Sequence, residues 1–304
     1  MTRKGALLFI GLGIAWGIPY LLIKVAVGEL EPAAVVFGRS ALGALILLPI
    51  ALYRKQVAPV LRRWRPLLVF ALVEIVVPWY FLGSAEQKLP SSTAGLLLAA
   101  VPLVGVAVAF LFGTKDRFGW RNWLGILVGT AGVAALVGLD VAGSDLIGVA
   151  EIAVVVVGYA VGPAILARYM SDLPSIGVVT CALAISAIIY IPIVPLTGAV
   201  PVAVPSPEVI LSIVLLASVC SAAAFLMMFA LVAEIGPTRM TTITYVNPAV
   251  AVAAGAIVLG EAITLVTVIG FGLVILGSFL VTHRRKEPAV LPEPEAAPVV
   301  DGTP

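Results

Sequence analysis

The stretch "EIGPTRMTTITYVNPAVAVAAGAIVLGEAITLVTVIGFGLVILGSFLVT" (234–282) decides the fold, because an earlier part of the chain answers it. Laid on "KLPSSTAGLLLAAVPLVGVAVAFLFGTKDRFGWRNWLGILVGTAGVAALV" (88–137), it brings Pro248 onto Pro102. After a one-residue gap, Glu261 falls on Asp116, Gly270 on Gly125 and Gly277 on Gly132. Each copy reads as an apolar helix broken by proline, an acidic residue, and a second apolar helix with spaced glycines. A run of about 20 apolar residues crosses ~30 Å of hydrocarbon, so each copy holds two membrane spans.

Working outward, the whole chain has this character. Its 304 residues are 62% hydrophobic and 11% charged, with a mean hydropathy of +1.17. A soluble domain carries about 45–50% apolar and ~25% charged residues, so this surplus needs a bilayer. Hydropathy and Gly/Pro/charge breaks predict ten spans near 5–27, 33–53, 66–84, 91–112, 120–138, 146–167, 175–197, 208–232, 238–259 and 264–282. The first of these is a retained span rather than a cleaved signal, since its apolar run is too long and more spans follow. The tail 283–304, rich in Pro, Ala and Glu, is expected to be disordered in the cytoplasm. With both termini cytoplasmic, the inner loops and span ends hold Arg3, Lys4, Arg54, Lys55, Arg62, Arg63, Arg65, Lys115, Arg117, Arg121, Arg168, Arg239, Arg284, Arg285 and Lys286. Only Lys88 falls in an outer loop, while Lys24 and Arg39 fall within spans. That split matches the bias of Lys and Arg toward cytoplasmic loops. The expected location is the cell (plasma or inner) membrane.

The repeat extends back over five spans, giving domains at 5–138 and 146–282. Leu30-Glu31-Pro32 corresponds loosely to Asp172-Leu173-Pro174, and Trp16 faces Tyr159 within a residue or two. An odd number of spans per half inverts the second half in the membrane. The predicted fold is therefore an all-α integral membrane protein of ten transmembrane helices in two inverted five-helix repeats. Inverted repeats flanking a midplane site belong to secondary transporters.

Here the sequence resembles a known family. "TTITYVNPAVAVAAGAIVLGEAIT" (241–264), "AWGIPYLLIK" (15–24) and "EPAAVVFGRSALGALILLP" (31–49) are similar in kind and order to spans of the EamA family of the drug/metabolite transporter superfamily. The resemblance covers about residues 5–282. Three departures stand out: the acid after span four is Asp116 in "TKDR", Tyr159 stands where a second Trp is expected, and Cys181 where a second Arg is expected. The resemblance implies a ten-span carrier, often an exporter of amino acids, other metabolites or drugs. It implies substrate-handling groups drawn mainly from the first half.

Charged and polar residues within the spans are candidates for function, because hydrocarbon penalises them. At 1.5 Å per residue, Glu74 lies roughly 12 Å from the cytoplasmic face, near the midplane. It reads either as a protonatable or substrate-pairing group, or as a neutral carboxyl bonded to a neighbouring helix. Arg39 and Glu151 lie at matched depths, roughly 9 and 8 Å from the outer face. They are expected either to form an ion pair between spans two and six or, for Arg39, to receive a carboxylate substrate. Lys24 is expected to snorkel to the outer interface. Pro102, Asn247 and Pro248 sit near mid-membrane, where a proline frees a carbonyl and suits a cavity wall. Trp16, Tyr20, Trp79, Tyr80, Tyr159 and Tyr245 are aromatic residues within spans. Tyr20, Trp79 and Tyr80 also fit an interfacial belt, and Trp16 lies deeper. The candidate substrate-binding set is Trp16, Tyr20, Arg39, Glu74, Trp79, Pro102, Glu151, Tyr159, Tyr245, Asn247 and Pro248. Gly13-x3-Gly17, Gly125-x3-Gly129 and Gly158-x3-Gly162 read as close-packing motifs. Asp116 and Glu261 read as caps or interface anchors for the spans that follow them.

Other classes fit less well. Cys181 and Cys220 both fall in apolar spans and His283 is the only histidine, so neither a disulfide framework nor a metal site is expected. No cofactor is expected, and no nucleic-acid partner, since the net charge of +2 is spread over short loops. An intramembrane enzyme lacks a nucleophile with its base, a channel lacks charge rings, and a self-contained ATP-driven pump lacks a G-x4-G-K-[ST] loop. The expected function is a secondary active transporter exporting a small metabolite, an amino acid or related compound, by alternating access. Multidrug efflux and metabolite uptake are the alternatives. Its expected partners are the small-molecule substrate, the lipid bilayer, a coupling proton at Glu74 or Glu151, and, as an option, a second copy of the chain.

Overall fold

The computed structural model describes residues 2–111, 120–140, 146–235 and 241–282. Asp116, His283 and the tail 283–304 lie outside the described residues. Ten helical spans run where hydropathy places them. They are α1 (Arg3–Ala26), α2 (Pro32–Tyr53), α3 (Trp64–Lys88), α4 (Ser91–Leu97 continuing through Val101–Leu111), α5 (Trp120–Asp140), α6 (Leu146–Tyr169), α7 (Ser175–Leu196), α8 (Pro207–Ile235), α9 (Val246–Leu259, led by Thr241–Tyr245) and α10 (Leu265–Thr282). No strand occurs among the described residues. Among the described residues seven spans are each long and apolar enough to cross a membrane, and α9 and α10 are shorter apolar helices.

Local chemistry sets the ends. Pro32 and Pro207 stand at first helical positions, where a missing N–H costs nothing. The Ser206 hydroxyl accepts from the Val209 N–H, and the Thr2 hydroxyl accepts from the Gly5 N–H. Gly260 closes α9 with φ of +67°, a left-handed turn that glycine adopts without a Cβ clash. Pro19 breaks α1 into Arg3–Gly17 and Pro19–Ala26. Span three is longer than hydropathy predicts: it ends at Lys88 rather than 84, because Glu151 inside the bundle pairs with Lys88 and Lys24 bonds the carbonyls where the helix ends.

The packing follows the repeat. α2 packs on α7, α4 on α9 and α5 on α10, each helix meeting its own counterpart in the other half. Contacts between unlike helices come in matched pairs: α3 with α6 repeats as α8 with α1, and α4 with α6 repeats as α9 with α1. The small-residue motifs serve this packing. A Cβ on Gly132 would lie 2.7 Å from the Val274 N, and one on Gly277 would lie 2.6 Å from the Gly125 carbonyl, so α5 and α10 touch backbone to backbone. Gly13 and Gly17 seat Val246 and Val250 of α9, and Gly158 admits Pro78 and the Val73 carbonyl of α3.

A second symmetry is invisible to hydropathy. Leu72–Val76 in α3 and Ser218–Ala223 in α8 are both π-helical. The spacing that takes Pro102 to Pro248 takes 72–76 onto 218–222, and Glu74 onto Cys220. Such widened turns gather at functional sites. Pro78 explains the first, since it offers no N–H to the carbonyl four residues back. The Tyr190 hydroxyl of α7 then donates to the nearby Val76 carbonyl. In α8 the hydroxyls of Ser218 and Ser221 donate to the Val214 and Leu216 carbonyls.

Candidate functional site

The two widened turns flank a buried arginine. Arg39 of α2 is 7% exposed. Its guanidinium lies 3.6 Å from the centroid of the Trp79 ring of α3, and its Nε donates to the Ser221 hydroxyl of α8 at 3.1 Å. The Ser221 oxygen thus accepts from Arg39 while donating to the Leu216 carbonyl, which fixes its orientation. Around the cation stand Tyr159 of α6, Tyr20 of α1, Cys220 of α8 and Glu86 of α3. The Tyr159 hydroxyl sits beside the Trp79 indole, and Tyr159 borders both large apolar cores of the bundle. Among the described residues no carboxylate pairs with Arg39, and none accepts from its two terminal nitrogens. A guanidinium has five donors in a planar fork. This one is stacked and oriented at one edge, with the other edge uncommitted.

The expected Arg39–Glu151 pair is therefore not formed. Glu151 of α6 bonds instead to the Lys88 ammonium, at 3.0 Å, and to the Ser84 hydroxyl, at 2.8 Å. Lys88 reaches it because α3 runs a full turn beyond the predicted end. Lys24 does not snorkel either: its ammonium turns inward and donates to the Glu86 and Leu89 carbonyls, at 2.5 and 2.9 Å. Glu261 caps, but not the span that follows it. Its two oxygens accept from the Ser91 and Ser92 N–H groups at 2.7 and 2.9 Å, at the start of α4 in the other repeat. Thr264 and Thr267 satisfy each other at the head of α10 instead.

Glu74 sits on the widened turn of α3 with one carboxyl oxygen buried and without a hydrogen-bond partner. That oxygen rests against Gly162 of α6, where any side chain would collide with it. Tyr159 lies within electrostatic range of both Glu74 and Arg39. Tyr20, Arg39, Glu74, Trp79 and Tyr159 thus gather in one region spanning α1, α2, α3 and α6. Trp16 packs edge-on against Phe225 of α8 with ring centroids 6.1 Å apart, in a smaller apolar cluster with Leu12 and Ala224. Asn247 and Pro248 stand on α9 against α1: the Asn247 carbonyl lies 3.1 Å from where a Gly17 Cβ would be, and its side-chain oxygen is buried without a partner. Tyr245 closes the tight turn ahead of α9, and Pro102 follows the matching tight turn Leu98–Ala100 in α4. Both prolines mark the same break in symmetry-related spans. Ser221, Cys220 and Glu86 belong to the same region, and sequence reasoning missed all three. Serine and cysteine carry no charge to flag them, and Glu86 falls between the predicted spans 66–84 and 91–112.

Among the described residues no group of three or more His, Cys, Asp or Glu could hold a metal ion. A model of the EamA-like transporter family matches residues 3–138 and again 146–283. The chain belongs to the EamA-like transporter family. Its similarity to curated members runs nearly end to end. It is 29% identical over 293 residues to the "Uncharacterized inner membrane transporter YedA" of Escherichia coli (strain K12), covering 94% of this chain and 92% of that one. It is 26% identical to the "Uncharacterized transporter YvbV" of Bacillus subtilis (strain 168), over 93% of each chain. An "Uncharacterized transporter" of Archaeoglobus fulgidus is 25% identical over 89% of this chain and 95% of its own. A solved structure described only as "Crystal structure of protein" superposes with a TM-score of 0.67 over 93% of this chain and 98% of that chain, at 20% identity. That likeness confirms the fold alone. This family member is a multi-pass membrane protein and a transporter.

Proposed function

We propose that the protein is a secondary carrier exporting a small metabolite that bears a carboxylate, an amino acid or a related compound. Transport proceeds by alternating access at a site between the two repeats. The observation that supports this best is Arg39, a buried cation held between Trp79 and Ser221 with its terminal nitrogens uncommitted. A desolvated charge in a membrane bundle is costly unless it is paired. An arriving carboxylate supplies the pair, and the guanidinium fork suits two-point recognition. Tyr20, Trp79 and Tyr159 give such a substrate apolar and hydroxyl surface close by. Pro102, Tyr245, Asn247 and Pro248 supply bent, partly polar backbone on the two symmetry-related spans, and Trp16 faces the second half. Glu74 carries the coupling proton in this scheme, because one of its carboxyl oxygens is buried with no hydrogen-bond partner. Glu151, already paired with Lys88, drops out of that role. The termini lie in the cytoplasm of a cell that holds the carrier in its plasma or inner membrane, as the loop charges suggest.

The deciding experiment compares metabolites in cells overexpressing and cells lacking the protein, then screens the compounds that differ by thermal shift. Carboxylated compounds should accumulate outside the overexpressing cells and stabilise the wild type but not Arg39→Gln. Equal stabilisation of both proteins removes Arg39 from the site. In proteoliposomes, Glu74→Gln should abolish the pH dependence of counterflow, and an unchanged profile rules Glu74 out as the coupling group.

A further inference from the structure

At the face opposite the termini, the end of α3 carries a carboxyl that the carrier scheme does not use. Glu86 is 0% exposed, and both its carboxyl oxygens are buried without a hydrogen-bond partner. Lys24 of α1 approaches from the neighbouring helix. Its ammonium is not on the carboxyl but on the main-chain carbonyls of Glu86 and Leu89, where α3 ends. The remaining charged and titratable groups around it are accounted for. Tyr20 of α1 and Arg39 of α2 lie within electrostatic range, with Arg39 engaged by Trp79 and Ser221. Glu151 of α6 is neutralised by Lys88 of α3 itself, and the Glu261 carboxylate is committed to the N–H groups that start α4. Of the two cations near Glu86, Arg39 is stacked on Trp79 and oriented by Ser221, whereas Lys24 already reaches the Glu86 main chain.

We propose that Glu86 is a proton-binding site that, with Lys24, latches this face of the carrier. A fully buried carboxylate with no hydrogen-bond donor on it is costly as an ion, so this arrangement belongs to the protonated acid. With Glu86 neutral, Lys24 ties the end of α3 to α1 through the two carbonyls. Release of the proton to solvent leaves a carboxylate, and the ammonium moves from the carbonyls onto it. The Glu86 and Leu89 carbonyls then need water, and the junction of α1, α3 and α4 loosens. Protonation closes the face and deprotonation opens it. Glu74, near mid-membrane on a widened turn, is a separate proton site with a separate readout.

Hydrogen exchange on the full chain in lipid nanodiscs tests this, with rates corrected for intrinsic base catalysis. Amides at 84–92 and 20–27 should lose protection as pH rises through one step, by up to about tenfold per pH unit for a one-proton equilibrium. Glu86→Gln should remove the step and hold the protected level, while Glu74→Gln should leave it in place. Lys24→Gln should move the midpoint to higher pH, because the carboxylate loses its cation. In the wild type, the carbonyl stretch of a protonated carboxylic acid should vanish in the infrared with the same midpoint. A wild type with no step, a step surviving in Glu86→Gln, an unmoved midpoint in Lys24→Gln, or no such infrared band each overturns the proposal. The wild-type measurements decide it even if a variant fails to fold.

Discussion

Arg39 shows how much a single residue can depend on groups that carry no charge. Its position is set by an indole face and a hydroxyl, and a lysine at the same place would lose both the stack and the fork. Arg39→Lys should therefore bind a carboxylated substrate almost as poorly as Arg39→Gln. A charge-assisted bond is worth about 1.5–3 kcal/mol, so titration of the purified variants should show affinity falling by roughly tenfold to a hundredfold. Tyr159→Phe, which keeps the ring, should cost far less. Gly162 makes the opposite point, since its value lies in having no side chain. Gly162→Ala pushes against the Glu74 carboxyl and should lower stability by about 1–3 kcal/mol, as over-packing does, read as an earlier thermal unfolding in detergent. Sequence inspection singled out Arg39, Glu74, Trp79 and Tyr159 because charge and aromaticity in an oily run are conspicuous. It paired Arg39 with Glu151 on depth alone, and depth does not say which way around a helix a side chain faces.

Among elements, the join between Glu261 and the head of α4 makes the clearest prediction. The carboxylate accepts from two backbone N–H groups at a helix start, where partial positive charge gathers. Burial works against the ionised form of Glu261, but the bonds from Ser92 and Ser91 outweigh it and hold the carboxyl below the ordinary range. A carboxyl lowered on folding stabilises the folded state above its unfolded value, about pH 4.3. That contribution disappears as pH falls through the lower folded value. Stability in detergent should thus drop on acidification below about pH 4.3, and part of the drop should vanish in Glu261→Gln. At neutral pH that variant should lose about 0.5–2 kcal/mol, the usual worth of an N-terminal cap. The ten spans themselves were legible because each is a long apolar run closed by proline, glycine or charge. The widened turns of α3 and α8 were not, since a π turn changes hydrogen bonding without changing composition. The last turn of α3 was missed for a related reason: hydropathy ends a span where Ser84, Glu86 and Lys88 begin, and the interior partners that let it continue come from α1 and α6.

For the whole molecule, the matched contacts of the two halves make symmetry the organising fact. Pairing of α2 with α7, α4 with α9 and α5 with α10 follows from the repeat, which sequence self-comparison exposed through Pro102 and Pro248. Ten spans put both termini on one side, and the loop charges make the cytoplasm the expected side. Reporter fusions at the C-terminus and after Tyr53 should be active only in the cytoplasm, and one after Leu89 only outside. A reversed pattern would invert every statement about inner and outer faces. The halves are alike in plan but not in chemistry, for the turn that carries Glu74 in one carries Cys220 in the other. The close seam between α5 and α10 has its own mechanical meaning. Where Gly132 and Gly277 bring main chain against main chain, little side chain remains to bend or change rotamer, so the seam has little slack. In the proposed alternating-access scheme, a swing of one half against the other would turn about that line, with α5 and α10 as its axle and the travel left to α1, α3, α6 and α8.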